Sequence, residues 1–361
     1  MIQLSRPVLG SEEVAAVAAV LATGRLVQGE QVAAFERRIA ELTSRSHALA
    51  VSSGTSALRL ALEALGVGAG DQVLVPDLTW PSPAHVVIEL GALPVLVDVD
   101  AREWNTTPAE LTRVDRARLR AAILIDQFGN PARVRELAEA LPGVPIVVDA
   151  ACSLGSHSGQ EPCGASGAIA CMSFHPRKVL TTGEGGVCLT NDPELAGRLL
   201  ELRNHGQRSP GTFARASGNH RLSELAAAIG VVQLARLPEL LAARAALAAR
   251  YVDAFPELPR QHAPPGARAN HQTFGVLLPS GLDRDRVVQA LRARGVESSR
   301  LSYALHELPQ MAAASAAARA RGETFPNASE LAQRGLALPL WPGLEDADQQ
   351  KVIEAVRAVL N

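Results

Sequence analysis

A chain of 361 residues, 47% hydrophobic and 20% charged, is long enough to bury a sizeable core and to divide into two domains. Its formal net charge of -2 excludes a strong electrostatic grip on nucleic acid or on an anionic membrane surface. The opening Met1–Pro7 lacks the apolar stretch of a signal peptide, and the alanine-rich Ala15–Ala22 is too short to span a bilayer, which predicts a cytoplasmic protein.

Short apolar runs recur through the first half and read as strands: Ala48–Ser52, Gln72–Val75, Leu93–Val97, Ala121–Ile125, Pro145–Asp149, Ala168–Phe174 and Gly186–Thr190. Helical patterns fill several of the gaps, most clearly Ser56–Leu65, Pro83–Leu90 and Val134–Ala140. Strands alternating with helices predict an α/β fold with a mainly parallel sheet covered on both faces. The last run follows its neighbour through a Gly-rich segment with no helix, which leaves it free to run antiparallel. From Leu222 to about Phe255 the pattern is helical, with Pro238 marking a kink or break. The Pro-rich Pro256–Pro265 reads as a loop. A strand at Thr273–Leu278 and helices near Asp283–Arg294 and Asp346–Leu360 close the chain. These predict a large domain over 1–240 and a smaller C-terminal α/β domain over 241–361.

In an open parallel sheet, ligands bind beyond the carboxyl ends of the strands, and the polar residues cluster there. Ser52-Ser53-Gly54-Thr55-Ser56 follows the first strand and opens a helix. Free backbone N–H groups at such a helix start suit a phosphate, although simple capping by a hydroxyl fits the same residues. Trp80, one of three tryptophans, follows the second strand, where an aromatic can stack on a flat heteroaromatic ring or merely pack. Asp149 ends its strand. A carboxylate there can hold a ring nitrogen protonated or cap a helix; no neighbouring carboxylates assemble a metal site, so no metal is expected. Lys178 sits between an apolar run and a Thr/Gly-rich turn, five residues after Ser173. An amine so placed can form a Schiff base with a carbonyl cofactor, whereas a lone loop lysine would be solvated.

Other patterns carry less. The four cysteines, Cys152, Cys163, Cys171 and Cys188, form no C-x-x-C pair and no zinc spacing. Gly66-Val67-Gly68-Ala69-Gly70 follows a helix and precedes a strand, the reverse of a dinucleotide-binding order, and reads as a turn. His306-Glu307 has no second histidine to complete a zincin motif.

Taken together, Ser52–Leu58, Pro76-Asp77-Leu78-Thr79-Trp80, Val148-Asp149-Ala150-Ala151, Ser173–Gly186 and Gly218-Asn219-His220-Arg221-Leu222-Ser223 resemble, in order, the DegT/DnrJ/EryC1/StrS family of pyridoxal-phosphate-dependent sugar aminotransferases. Leu4–Gly10 and Ala337–Pro342 extend the likeness to nearly the whole chain. The resemblance implies a fold-type I transferase with a seven-stranded, mainly parallel sheet and helices on both faces. Its cofactor would be pyridoxal 5'-phosphate, bound to Lys178 as a Schiff base. Asp149 would pair with the pyridine nitrogen and Trp80 would stack on the ring. Gly54, Thr55, Ser56 and the Ser173 hydroxyl would bind the phosphate. Asn219 would reach the phosphate of a neighbouring subunit, implying a homodimer with shared active sites. The partners would be an amino-acid donor, L-glutamate, and a keto group on a nucleotide-linked sugar, served in ping-pong order within polysaccharide or antibiotic biosynthesis. A keto-cyclitol or related antibiotic precursor, or a catalytically silent cofactor-binding regulator, are the alternatives. One departure stands out: Cys152 occupies the place of the family's usual glutamine, leaving a weak thiol contact beside the cofactor. Lys178 itself separates the chain from the family's dehydratase branch, which has histidine there. Arg221 and Arg300 are candidates, by residue type, to hold donor carboxylates. His175 and His306 either line the pocket or pack as satisfied side chains.

Overall fold

The computed structural model of the protein describes residues 1–360. Seven strands form the main sheet: β1 (His47–Val51), β2 (Gln72–Pro76), β3 (Leu93–Val97), β4 (Leu119–Ile125), β5 (Ile146–Asp149), β6 (Ile169–Ser173) and β7 (Gly186–Thr190). Their order is β1-β7-β6-β5-β4-β2-β3. β7 pairs antiparallel with both β1 and β6, and the other pairs are parallel. The six remaining strands therefore point the same way. The strand without an intervening helix is the one that reverses, because only a crossover of a dozen or more residues can bring a chain back parallel.

Among the described residues, twelve α-helices accompany the sheet: α1 (Ser11–Thr23), α2 (Glu30–Leu42), α3 (Gly54–Ala64), α4 (Ser82–Glu89), α5 (Val134–Ala140), α6 (Pro193–Arg203), α7 (Glu224–Ala235), α8 (Leu237–Ala254), α9 (Arg284–Ala293), α10 (Ala312–Ala320), α11 (Pro326–Arg334) and α12 (Asp346–Leu360). Side chains alternate across each strand, so the sheet carries two cores. Val73, Val75, Ile123 and Val147 face a cluster with Leu58 and Leu62 of α3 and Val86 of α4. Leu74, Leu124 and Val148 face another with Phe35 and Ile39 of α2, Leu137 of α5 and Leu234 of α7. Largely apolar strand interiors follow from burial on both faces.

The helical stretch from Leu222 is two helices, α7 and α8, bent by 64° at Arg236. Pro238 lies in the first turn of α8, where its missing N–H has no helical partner to lose. Among the described residues, no single helix is long and apolar enough to cross a membrane.

Beyond α8 lies a three-stranded antiparallel sheet of β8 (Phe274–Leu277), β9 (Ser299–Arg300) and β10 (Gly335–Leu338), in the order β8-β10-β9. It shares a third core with Leu247 and Tyr251 of α8, Leu291 of α9 and Val352 of α12. The N-terminus joins this region, Ile2 bridging to Val296. Residues between β9 and β10 turn back onto the main sheet: Met311, Ala314, Phe325 and Leu331 belong to the first core.

Candidate active site

Because β1, β2, β5 and β6 run in one direction, Ser52–Ser56, Leu78–Trp80, Asp149–Cys152 and Ser173 all lie along the carboxyl edge of the sheet. At the end of β1, Ser53 caps α3: its Oγ accepts from Ser56 N at 3.0 Å, and its carbonyl accepts from Ala57 N. The N–H groups of Gly54 and Thr55 take no acceptor from the protein. Gly54 is required by close packing, since a Cβ there would stand 2.8 Å from Ser173 Cβ and 3.2 Å from its Oγ. Free N–H groups, a helix start and the Ser173 hydroxyl thus meet in one place, a donor set that fits a phosphate.

Lys178 lies in the loop joining β6 to β7, which its own hydroxyls hold in shape. Thr181 Oγ1 and Thr182 N donate to the Phe174 carbonyl, Phe174 N donates to Gly185 O, and the Phe174 ring packs edge-on against Phe35 at 5.0 Å. Lys178 N donates to His175 O at 2.9 Å, and the amine Nζ donates to Cys152 Sγ at 3.1 Å. The loop bearing Cys152 is clamped in turn by Asn270, whose Nδ2 donates to the carbonyls of Cys152 and Leu154.

Asp149 is buried at the end of β5. Its Oδ1 accepts from Ala151 N at 3.1 Å, and its second oxygen takes no hydrogen bond from the protein. Burial pushes the carboxyl above its ordinary range, and the positive charge of Lys178 pulls it back. A buried carboxylate with one open oxygen, beside an amine, fits a protonated ring nitrogen. Together with the phosphate-fitting donors, these residues suit pyridoxal 5'-phosphate.

Trp80 is 62% exposed and meets Tyr303 edge-on, 5.6 Å between ring centres. Arg300 lies over the other ring of that pair, 5.1 Å from the centre of Tyr303. This wall is built by a short ladder, Leu78–Thr79 pairing antiparallel with Tyr303–Ala304, and by Asp77. Asp77 accepts from His306 N at 2.8 Å and pairs with His306 Nδ1 at 2.6 Å, while His306 stacks on Phe325. The bond to Asp77 raises the affinity of His306 for its proton. His306 is accordingly a satisfied packing histidine. His175 is half-buried, its Nδ1 accepting from Arg177 N.

Asn219 is exposed, with its Oδ1 accepting from Arg221 N at 3.3 Å. Its neighbour His220 lines the phosphate-fitting loop of the same chain: the carbonyl accepts from Ser52 N, and Nδ1 lies 3.3 Å from Ser56 Oγ. Arg221 pairs with Asn204 Oδ1.

Three supporting residues escaped sequence reasoning. Asn270 clamps the Cys152 loop, and Gln127 Nε2 donates to Leu78 O, two residues before Trp80. Arg244 is almost wholly buried without a carboxylate, donating instead to the carbonyls of Lys178, His271, Gln272 and Leu340. Only the paired Gly185-Gly186 hinted at close packing in the loop: a Cβ on Gly186 would lie 2.3 Å from Ser53 O.

The family model described as the DegT/DnrJ/EryC1/StrS aminotransferase family matches residues 7–357. Among solved structures, the aminotransferase TlmJ from Streptoalloteichus hindustanus superposes with a TM-score of 0.91 at 32% identity, over 100% of this chain and 99% of its own. DesV from S. venezuelae, solved in complex with a ketimine intermediate, gives 0.89 at 34% identity over 97% and 95% of the two chains. The PLP form of Spr1654 from Streptococcus pneumoniae gives 0.91 at 25% identity over 99% and 98%.

Proposed function

Given that this chain belongs to the DegT/DnrJ/EryC1/StrS aminotransferase family, we propose that it moves an amino group from L-glutamate to a keto group on a nucleotide-linked sugar. The family is pyridoxal-phosphate-dependent, and the chain is an aminotransferase with a fold-type I architecture. The observation that carries this reading is the Lys178 amine, which donates to Cys152 Sγ and whose charge acts on the buried Asp149 at the carboxyl edge of the sheet.

When bound, the cofactor supplies an aldehyde carbon and an electron-withdrawing ring. Lys178 Nζ is the group that would bond it, and the Lys178 amine would take the proton from the α-carbon of the amino donor and return it. Asp149, whose second oxygen accepts no hydrogen bond from the described residues, would hold the ring nitrogen protonated. Gly54 N, Thr55 N, the Ser56 hydroxyl and Ser173 Oγ would hold the phosphate. Trp80 would stack on the ring, and Cys152 would offer a thiol where the family has an amide. Donor and acceptor use the same site in turn, so the two half-reactions alternate.

The acceptor enters past Trp80, Tyr303 and Arg300, the last offering a cation to the phosphates of the acceptor's nucleotide or to a donor carboxylate. Asn219 serves the site of a second copy. The exposed apolar side chains Val14, Leu21, Leu26 and Val27 on and after α1 support a homodimer, since a monomer seldom leaves so many uncovered together.

A visible absorption spectrum before and after adding L-glutamate tests the reading. A cofactor band that bleaches with glutamate, and that Lys178→Ala cannot cycle, is the expected result. Sustained transamination by Lys178→Ala would sink the assignment.

A further inference from the structure

Cys152 and Lys178 are 26 residues apart in sequence, yet Nζ and Sγ are in contact at 3.1 Å. Both side chains are only partly buried, so a small solute reaches them. The other three thiols are sealed: Cys163 is 9% exposed, Cys171 1% and Cys188 0%. Burial also pushes the Cys163 and Cys171 thiols well up, keeping them protonated and inert. Both ends of the contact are anchored. Asn270 grips the Cys152 carbonyl, and Arg244 Nη2 donates to the Lys178 carbonyl at 3.4 Å. An amine and a sulfur held together in this way react as neighbours within one molecule rather than as separate solutes.

We propose that Cys152 and Lys178 form an oxidation site at which a peroxide closes a reversible sulfur–nitrogen cross-link. In the first step the sulfur is oxidised and the peroxide reduced: the O–O bond breaks, the thiol becomes a sulfenic acid, and one water leaves. The Lys178 ammonium gives a proton to solvent, and the resulting amine attacks that sulfur. The S–O bond breaks, the hydroxyl departs with an amine proton as a second water, and an S–N bond remains. The product has lost one thiol hydrogen and one amine hydrogen. Two external thiols reverse it, regenerating Cys152 and Lys178 and forming a disulfide between themselves. The cross-link needs only the observed contact. Its effect on turnover rests on the proposed role of Lys178, because the cross-linked amine can neither bond the cofactor nor carry a proton.

The test uses the full chain stripped of cofactor, treated with a few equivalents of hydrogen peroxide, alkylated and digested for mass spectrometry. The expected product joins the peptides containing Cys152 and Lys178, lighter by two hydrogens than their sum. Dithiothreitol should abolish it, and folded Cys152→Ser, checked by its melting curve, should lack it. Recovery of Cys152 only as free thiol, disulfide or higher acid, with Lys178 unmodified, would overturn the proposal. A parallel sample pre-loaded with pyridoxal 5'-phosphate should cross-link at least several-fold more slowly. A cross-link formed equally fast with and without cofactor would uphold the contact chemistry while refuting Lys178 as the cofactor-bonding amine. A normal cofactor spectrum without any cross-link would refute this inference alone.

Discussion

Gly186→Ala is the sharpest test of how the phosphate-fitting loop is held. Gly186 opens β7, opposite Val51 of β1 and Ser173 of β6. A methyl there would lie 2.3 Å from Ser53 O, 2.5 Å from Ser53 C and 2.8 Å from Gly54 N. These are backbone atoms at the start of α3, so no side-chain rotation relieves the clash, and the helix start must retreat by about an ångström. Overpacking of this kind costs about 1–3 kcal/mol. The retreat would carry the N–H groups of Gly54 and Thr55 away from the phosphate proposed to bind there. If the full cost falls on cofactor binding, affinity drops by about 5- to 150-fold. The assay is titration of the cofactor-free variant with pyridoxal 5'-phosphate, followed by absorbance, alongside urea unfolding. Gly197→Ala is the control: this glycine lies inside α6 with nothing within 4 Å of an added Cβ, so alanine should be neutral or stabilise by up to about 1 kcal/mol. A folded Gly186→Ala protein that binds the cofactor as tightly as the parent would refute the placement of the phosphate at this loop.

Three further outcomes follow from particular contacts. Asp149→Asn keeps the shape but removes the charge that would hold the ring nitrogen protonated, so kcat should fall by roughly 10²- to 10³-fold in a steady-state assay; parent-like turnover would remove Asp149 from that role. Glu224 is buried and accepts from the N–H groups of Gly29, Gln31 and Val32 at the start of α2. Glu224→Ala should lower urea stability by about 3 kcal/mol, and a loss well below 1 kcal/mol would show that water replaces the carboxylate there. Asp126 is buried, accepts from Ser153 Oγ and Ala132 N, and is pushed up to about 6, chiefly by burial. A raised folded-state value means that its contribution to stability is full below the unfolded value near 3.8 and is lost as pH rises through about 6. The stability of the parent relative to Asp126→Asn should therefore improve by roughly 3 kcal/mol on acidification across that window; a flat difference would contradict the assignment.

The main sheet was legible because strands buried on both faces leave unbroken apolar runs, and two of the seven predicted runs, Leu93–Val97 and Gly186–Thr190, match the strands end to end. Pro238 marked the right place for a discontinuity, although the break falls two residues earlier, where proline can open a new helix. The N-terminal helices were not legible. α1 turns Val14 and Leu21 outward, so its apolar residues do not report a core. The position of the candidate site residues along the sheet edge was readable from strand endings. Their supports were not: Arg244 looks like any solvated helical arginine, and Asn270 like any loop asparagine. Nothing in the spacing between Cys152 and Lys178 signals a contact, which depends on two loops meeting across neighbouring strands.

Arg244 has a consequence for recombination. Its guanidinium joins four carbonyls from three separated stretches of chain, at Lys178, at His271 and Gln272, and at Leu340. Backbone carbonyls are present in every homologue, but their positions are not. A chimera with one crossover between 178 and 244 takes the lysine loop from one parent and the arginine from another; a crossover between 244 and 271 divides the arginine from the remaining acceptors. Either would leave a buried cation short of oxygen atoms unless both parents place those loops alike. Segments exchanged to alter acceptor preference are best drawn so that residues 178 to 340 come from one source, with variation confined to the chain before Lys178, the Trp80 segment included.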